Sequence, residues 1–139
     1  MTKLGPTREE IEASRAAAPD GPVTIVNLLR FKPSVGRAGY ARYLAGAAGA
    51  AHPDCTVLHA GPAFHDCGTG EDWDYVILAR YPRFADFADT VAHEAWQVDG
   101  ARHRPDALER TLMIVSPAGD LRADFGASRW RTIASCCAR

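Results

Sequence analysis

Long apolar runs are missing from this chain of 139 residues. Every apolar stretch is broken well short of the ~18 residues that a membrane-spanning helix needs. Basic excess is missing too: 16 Lys and Arg stand against 17 Asp and Glu, a formal net charge of -1. That balance argues against nucleic acid, whose phosphates require a concentrated basic surface. The arginines are scattered, with a mild cluster only at Arg122, Arg129, Arg131 and Arg139. The start, Met1-Thr2-Lys3-Leu4-Gly5-Pro6, runs straight into charged Arg8-Glu9-Glu10 and carries no visible signal peptide, so a cytoplasmic location is expected. Cysteine is sparse and badly placed for a disulfide framework: Cys55 and Cys67 stand in unrelated contexts, and Cys136 and Cys137 are adjacent. Free thiols in a reducing compartment are the better reading.

Motifs for the commoner chemistries are absent as well. There is no His-x-x-x-His or Cys-x-x-Cys pair, so no metal is expected, although His59, His65 and Asp74 could in principle assemble a site. Gly68-Thr69-Gly70 lacks a third spaced glycine and is followed by acidic residues that would repel a phosphate. No Gly-x-Ser-x-Gly elbow occurs, and nothing near Cys55 or Cys67 would lower a thiol pKa. No cofactor is expected.

What is present is an ordinary globular composition, 47% hydrophobic and 24% charged, in a length typical of one domain. Thr7-Arg8-Glu9-Glu10 fits a capping box and predicts a weakly apolar surface helix ending before Pro19-Asp20-Gly21-Pro22. Val23 to Phe31 is the strongest strand; it is apolar on both faces and should be central. Tyr40, Tyr43, Leu44 and Ala47 recur at helical spacing within residues 39–51. Residues 55–61 and 73–81 read as two strands joined by a loop with strong turn chemistry. Phe84, Phe87, Ala88 and Val91 mark a further helix, with a second helical piece at 94–100 and a turn begun by Pro105. Residues 111–115 form a short last strand, and the chain beyond has little apolar periodicity and reads as a mobile or partner-draped tail.

After the leading helix the order is strand, helix, strand, strand, helix, strand. That is the split βαβ, or ferredoxin-like, α+β arrangement, within residues 1–117, followed by a tail at 118–139. Helices cover one face of such a sheet. Strands apolar on both faces therefore require cover from elsewhere, and a second copy of the same sheet is the simplest source. A homodimer through sheet faces follows.

Several short motifs carry a family resemblance. Asn27-Leu28-Leu29-Arg30-Phe31 in the first strand, Gly61-Pro62-Ala63, Glu71-Asp72-Trp73-Asp74 leading into Arg80-Tyr81-Pro82, and Ala95-Trp96 through His103-Arg104-Pro105-Asp106-Ala107-Leu108-Glu109 together resemble the DUF1330 family. The resemblance spans about residues 5–117 and leaves the tail unmatched. It implies a dimeric α/β barrel, two such sheets packed face to face with helices outside. The architecture is similar to that of muconolactone isomerases, antibiotic-biosynthesis monooxygenases, polyketide cyclases and EthD-like proteins, which work on small organic molecules, often without a bound cofactor. Fold alone does not fix function.

Candidate site residues follow from polar chemistry in apolar surroundings. Asn27 either satisfies neighbouring backbone or points into a pocket to meet a ligand carbonyl. Arg80 either binds a carboxylate or enolate, or pairs with Asp72 or Asp74. Among the histidines, His59 lies within a strand and His65 at a probable loop mouth, on one face if the strand is unbroken; His93 stands at a helix break, and His103-Arg104 coincides with the family pattern. His52, before a proline, should face solvent. Tyr43, Trp73 and Trp96 belong to an aromatic set that is either core or pocket wall. The expected catalytic set is Asn27, Arg80, His59 and His93, with Tyr43, Trp73, Trp96, His65, His103 and Arg104 binding substrate. The expected function is an isomerase, cyclase or monooxygenase acting on an aromatic, polyketide-like or keto-acid molecule; a non-catalytic small-molecule-binding dimer is the alternative. No nucleic acid or membrane partner is expected.

Overall fold

The computed structural model describes residues 3–130, so Arg131, Cys136, Cys137 and Arg139 lie outside the described residues. Helix α1 (Arg8–Ser14) begins at a complete capping box, with the Thr7 side chain accepting from the Glu10 amide and the Glu10 carboxylate accepting from the Thr7 amide. A 3₁₀ turn, Arg15–Ala17, ends it before the Pro19 break. Strand β1 (Val23–Phe31) and helix α2 (Gly36–Ala47) follow, then β2 (Thr56–Pro62), β3 (Tyr75–Tyr81) and α3 (Phe84–Ala92). A π-helical turn, Ala95–Gly100, and a one-turn helix α4 (Arg104–Ala107) lead into β4 (Leu108–Pro117).

The four strands form one antiparallel sheet in the order β2-β3-β1-β4. β1 pairs on both sides, Asn27 facing Ile77 across one ladder and Met113 across the other. Strand alternation then divides the side chains cleanly. Val23, Ile25, Asn27 and Leu29 are buried on the side where α1, α2 and α3 pack, against Ile11, Tyr40, Tyr43, Phe84, Phe87, Val91 and Trp96. The alternate set, Val26, Leu28, Val76, Leu78, Leu112 and Ile114, contributes nothing to that core and is half-buried, except for Ile114, which is 51% exposed. The described residues thus leave one apolar sheet face open.

Close helix contact is made possible by small residues. A Cβ on Gly46 would lie 2.0 Å from the Asp99 carbonyl oxygen, and one on Gly100 would lie 2.8 Å from the Ala47 Cβ. The two glycines therefore seat α2 directly on the π-helical turn.

Three expectations change. The last strand begins at Leu108 rather than at 111, because a bulge at Arg30/Phe31 lets its ladder with β1 continue. The tail holds a short helix, α5 (Leu121–Phe125), capped by the Asp120 side chain and closed by Gly126 at φ 69. The first helix is not wholly superficial, since Ile11 is 7% exposed and joins the core.

Candidate functional site

A cavity of about 510 Å³ lies on the helical side of the sheet, under α1 and the segment that precedes it. Its walls come from three places: Gly5, Pro6, Ile11 and Ala18 around α1, Phe84 and Phe87 of α3, and Thr111, Met113 and Val115 of β4. The Thr111, Met113 and Val115 side chains alternate inward beside Asn27 and Ile25 of β1. The interior is mainly apolar; Lys3 and Glu10, which are ion-paired, and Ser14 add polar groups. An apolar hollow with a few convergent polar groups is the usual form of a small-molecule site.

The polar groups continue from the cavity into the protein. The Thr111 hydroxyl lies 3.0 Å from Asn27 Oδ1 and 3.0 Å from the Leu28 carbonyl oxygen. Asn27 is buried, at 7% exposure, and lies beside the Tyr40 phenol. Burial pushes the Tyr40 phenol up to about 12, helped by neighbouring Tyr43, while the Arg104 charge and the Asn27 amide pull it back. Tyr40 therefore stays a neutral phenol at neutral pH. Arg104, 2% exposed, stacks its guanidinium over the Tyr43 ring at 4.8 Å. Tyr43 is held in turn by Trp96, whose indole Nε1 donates to the Tyr43 hydroxyl at 3.2 Å. The Arg104 Nε donates to the Leu4 carbonyl at 2.6 Å.

This architecture has solved counterparts. RPA0582 of Rhodopseudomonas palustris, a protein of unknown function, is similar at a TM-score of 0.73 and 25% identity, over 86% of this chain and 100% of that one. At3g17210 from Arabidopsis thaliana is similar at a TM-score of 0.55 and 17% identity, over 70% of this chain and 96% of its own. A dabb family protein with a ferredoxin-like fold from Mesorhizobium loti is similar at 0.53 and 16% identity, over 72% of this chain and 100% of that one. No family model matches the chain, and no curated protein does. The fold is ferredoxin-like.

Within this ferredoxin-like frame, Asn27, Tyr43, Trp96 and Arg104 come together on the helical side. Arg80 and His59 do not join them. Arg80 pairs in register with Thr24 and Thr56, one position out of phase with Ala79 and Ile25, and so points to the open face. Asp74, which the sequence offered as its partner, instead accepts from the Phe31 amide at 2.7 Å. His59 faces Leu78 across a bulge in edge strand β2 and is exposed on that same open face. His65 falls beyond the end of β2, so the strand does not carry it onto a shared face with His59.

His65 and Trp73 line a second hollow of about 760 Å³, where the β2–β3 loop meets Leu28, Val76 and Leu112 of the open face. Asp66 orders that loop by accepting from the Thr69 hydroxyl and the Gly68 and Thr69 amides, which hold its carboxyl well below the usual range. Arg110 covers the Trp73 ring at 5.1 Å. His93 caps the end of α3 at the surface, its Nδ1 accepting from the Ala95 amide. His103 is half-buried and accepts from Arg102 Nε at 3.4 Å. His52 lies 3.4 Å from Asp86 rather than free in solvent.

Thr111 and Gly5 are residues around the cavity that sequence reasoning did not single out, and it marks Tyr40 only as one of a helix's regularly spaced residues, not as a site residue. Thr111 carried a usable signal, a polar residue opening an otherwise apolar strand, which is the same signal that exposed Asn27. No helix among the described residues is long and apolar enough to cross a membrane.

Proposed function

We propose that this chain is a small-molecule enzyme of the DUF1330 kind, a homodimer in which each protomer holds an organic substrate in the cavity under α1. The reaction class is isomerisation, cyclisation or oxidation through an enolate-like intermediate, on an aromatic, polyketide-like or keto-acid molecule. One observation carries this reading: the Thr111 hydroxyl, on the wall of an apolar cavity, is backed by the buried amide of Asn27. The Thr111 hydroxyl gives its one proton to Asn27 Oδ1 and the Leu28 carbonyl, so its lone pairs are left for the cavity and suit it to accept a hydrogen bond from an enol, hydroxyl or amide of the ligand. Asn27 then acts as a positioning residue, with the neutral Tyr40 phenol packed behind it. Under this reading Arg80 and His59 serve the sheet-to-sheet contact, and not the substrate.

A second reading has its own support. No histidine is among the residues that line the cavity, which favours a dimer that sequesters a small molecule without transforming it. The two readings separate in one experiment. Candidate aromatic, polyketide-like and keto-acid compounds are screened by thermal shift, and those that raise the melting temperature are incubated with the protein and followed by NMR. Conversion that is lost in Thr111→Val and Asn27→Ala supports the enzyme. Binding without conversion supports the sequestering protein. Binding unaffected by either substitution places the site elsewhere.

A further inference from the structure

We propose that the ligand of this cavity is a small organic carboxylate whose charged end is bound by Arg104; the proposal rests on the reading of the α1 cavity as the ligand site. Arg104 is 2% exposed, yet its Nη1 and Nη2 have no hydrogen-bond partner among the described residues. Only Nε is used, on the Leu4 carbonyl. A guanidinium does not deprotonate inside a protein, so burial cannot neutralise it as it would a lysine or a carboxylate. A buried, unpaired cation is costly, and natural structures keep one only where something answers it.

Among the described residues no carboxylate pairs with Arg104, and the neighbouring Tyr40 hydroxyl, whose phenol the guanidinium pulls down, is neutral and cannot balance its charge. Glu10 pairs with Lys3, Glu109 with Arg30, and Glu71 with Arg110. Tyr43 contributes a ring face, which attracts the cation without using its N–H groups. Two nitrogens in a planar fork, both free, match the two oxygens of a carboxylate.

Gly5 connects this fork to the cavity. It lines the cavity, and a Cβ built on it would lie 3.1 Å from Arg104 Nε and 3.7 Å from Cζ. The guanidinium thus packs directly behind this part of the cavity wall. The Leu4–Gly5 segment is a strap fastened by one hydrogen bond, and lifting it admits a carboxylate to the fork. Ile11, Phe87, Met113 and Val115 then hold the apolar body.

The test uses matched pairs of probes, 3-phenylpropionate and cinnamate against their primary amides, titrated calorimetrically into the full chain. The acids are expected to bind at least tenfold more tightly than the amides. Arg104→Lys, which keeps the charge but not the fork, is expected to lose most of that preference. Gly5→Ala, which leaves Arg104 in place but crowds its guanidinium, is expected to weaken the acids and spare the amides. It also keeps the test open if the Arg104 variant folds poorly. Amides that bind as tightly as acids, or acids indifferent to both substitutions, overturn the carboxylate proposal while leaving the cavity as the site. Failure of acids and amides alike overturns both.

Discussion

Asn27, Asp86, Thr90 and Arg104 are the buried polar side chains of the described residues, and they divide by whether the protein satisfies them. Thr90 donates to the Asp86 carbonyl, and the Asp86 carboxylate takes two bonds from Arg83, at 2.8 and 3.2 Å. These are structural. The Arg83 guanidinium holds the Asp86 carboxyl below its usual value against the opposing effect of burial, with His52 adding to the pull. A folded-state pKa that is depressed contributes stability above the unfolded value and loses it as pH falls. Wild type should therefore hold its stability advantage over Asp86→Asn above the ordinary aspartate pKa of about 3.9 and lose it as pH falls below that value and through the depressed folded one. Urea unfolding of both proteins at each pH measures this, and a constant difference across that range would refute it. Arg104, by contrast, is left partly unsatisfied. Asn27 was legible in the sequence because an amide inside an apolar strand is conspicuous. Arg104 stood out only through the family pattern, since an arginine in a helical turn looks like any solvated charge. Arg80 looked the stronger candidate until register placed it on the opposite face, and register is set by pairing partners remote in sequence.

Strands were the most readable parts, because four apolar runs bounded by Pro, Gly and Asp allow few alternatives. The first strand kept its bounds, the second shifted by one residue, and the start of the third and both ends of the fourth moved by two or three, the start of the fourth where a bulge let its ladder with β1 continue. Helical segments with sparse periodicity were less legible. The π-helical turn at Ala95–Gly100 owes its place to contact with α2 at Gly46, which no local pattern encodes. Helix α1 is an instructive case: its capping box was plain in the sequence, but its use as a cavity roof was not. It spans seven residues, too few to be stable without its cap and its packing. Thr7→Ala should remove about 1 kcal/mol of stability by leaving the Glu10 amide without its side-chain acceptor. Hydrogen exchange should quicken in Arg8–Ser14 well before the sheet is affected. Ligands held under the roof should bind several-fold more weakly, and unchanged exchange in α1 would mean that packing alone holds the roof down.

The sheet presents two apolar faces to a chain that supplies helices for one. Val26, Leu28, Val76, Leu78, Leu112 and Ile114 form a contiguous patch across three strands, with Leu58 of β2, 43% exposed, beyond it. Burying a single side chain of this kind stabilises by about 1.5–3 kcal/mol, so leaving the whole patch to water forgoes a large part of the stability open to a domain of this size. A twin sheet is the best-matched cover, because the same patch on each protomer is self-complementary about a two-fold axis. Such a pairing would also close the hollow lined by His65 and Trp73, since Leu28, Val76 and Leu112 belong to both. Sedimentation velocity should accordingly find a dimer at micromolar concentration. Ile114→Asp is the sharper probe, as Ile114 already stands 51% exposed and its replacement disturbs no part of the helical-side core. It should convert the protein to a folded monomer with native circular dichroism and a lower melting temperature. Wild type, but not the variant, should gain melting temperature with protein concentration. A wild-type chain that sediments as a monomer, with a melting temperature independent of concentration, would leave the open face without a twin and remove the frame from the homodimer.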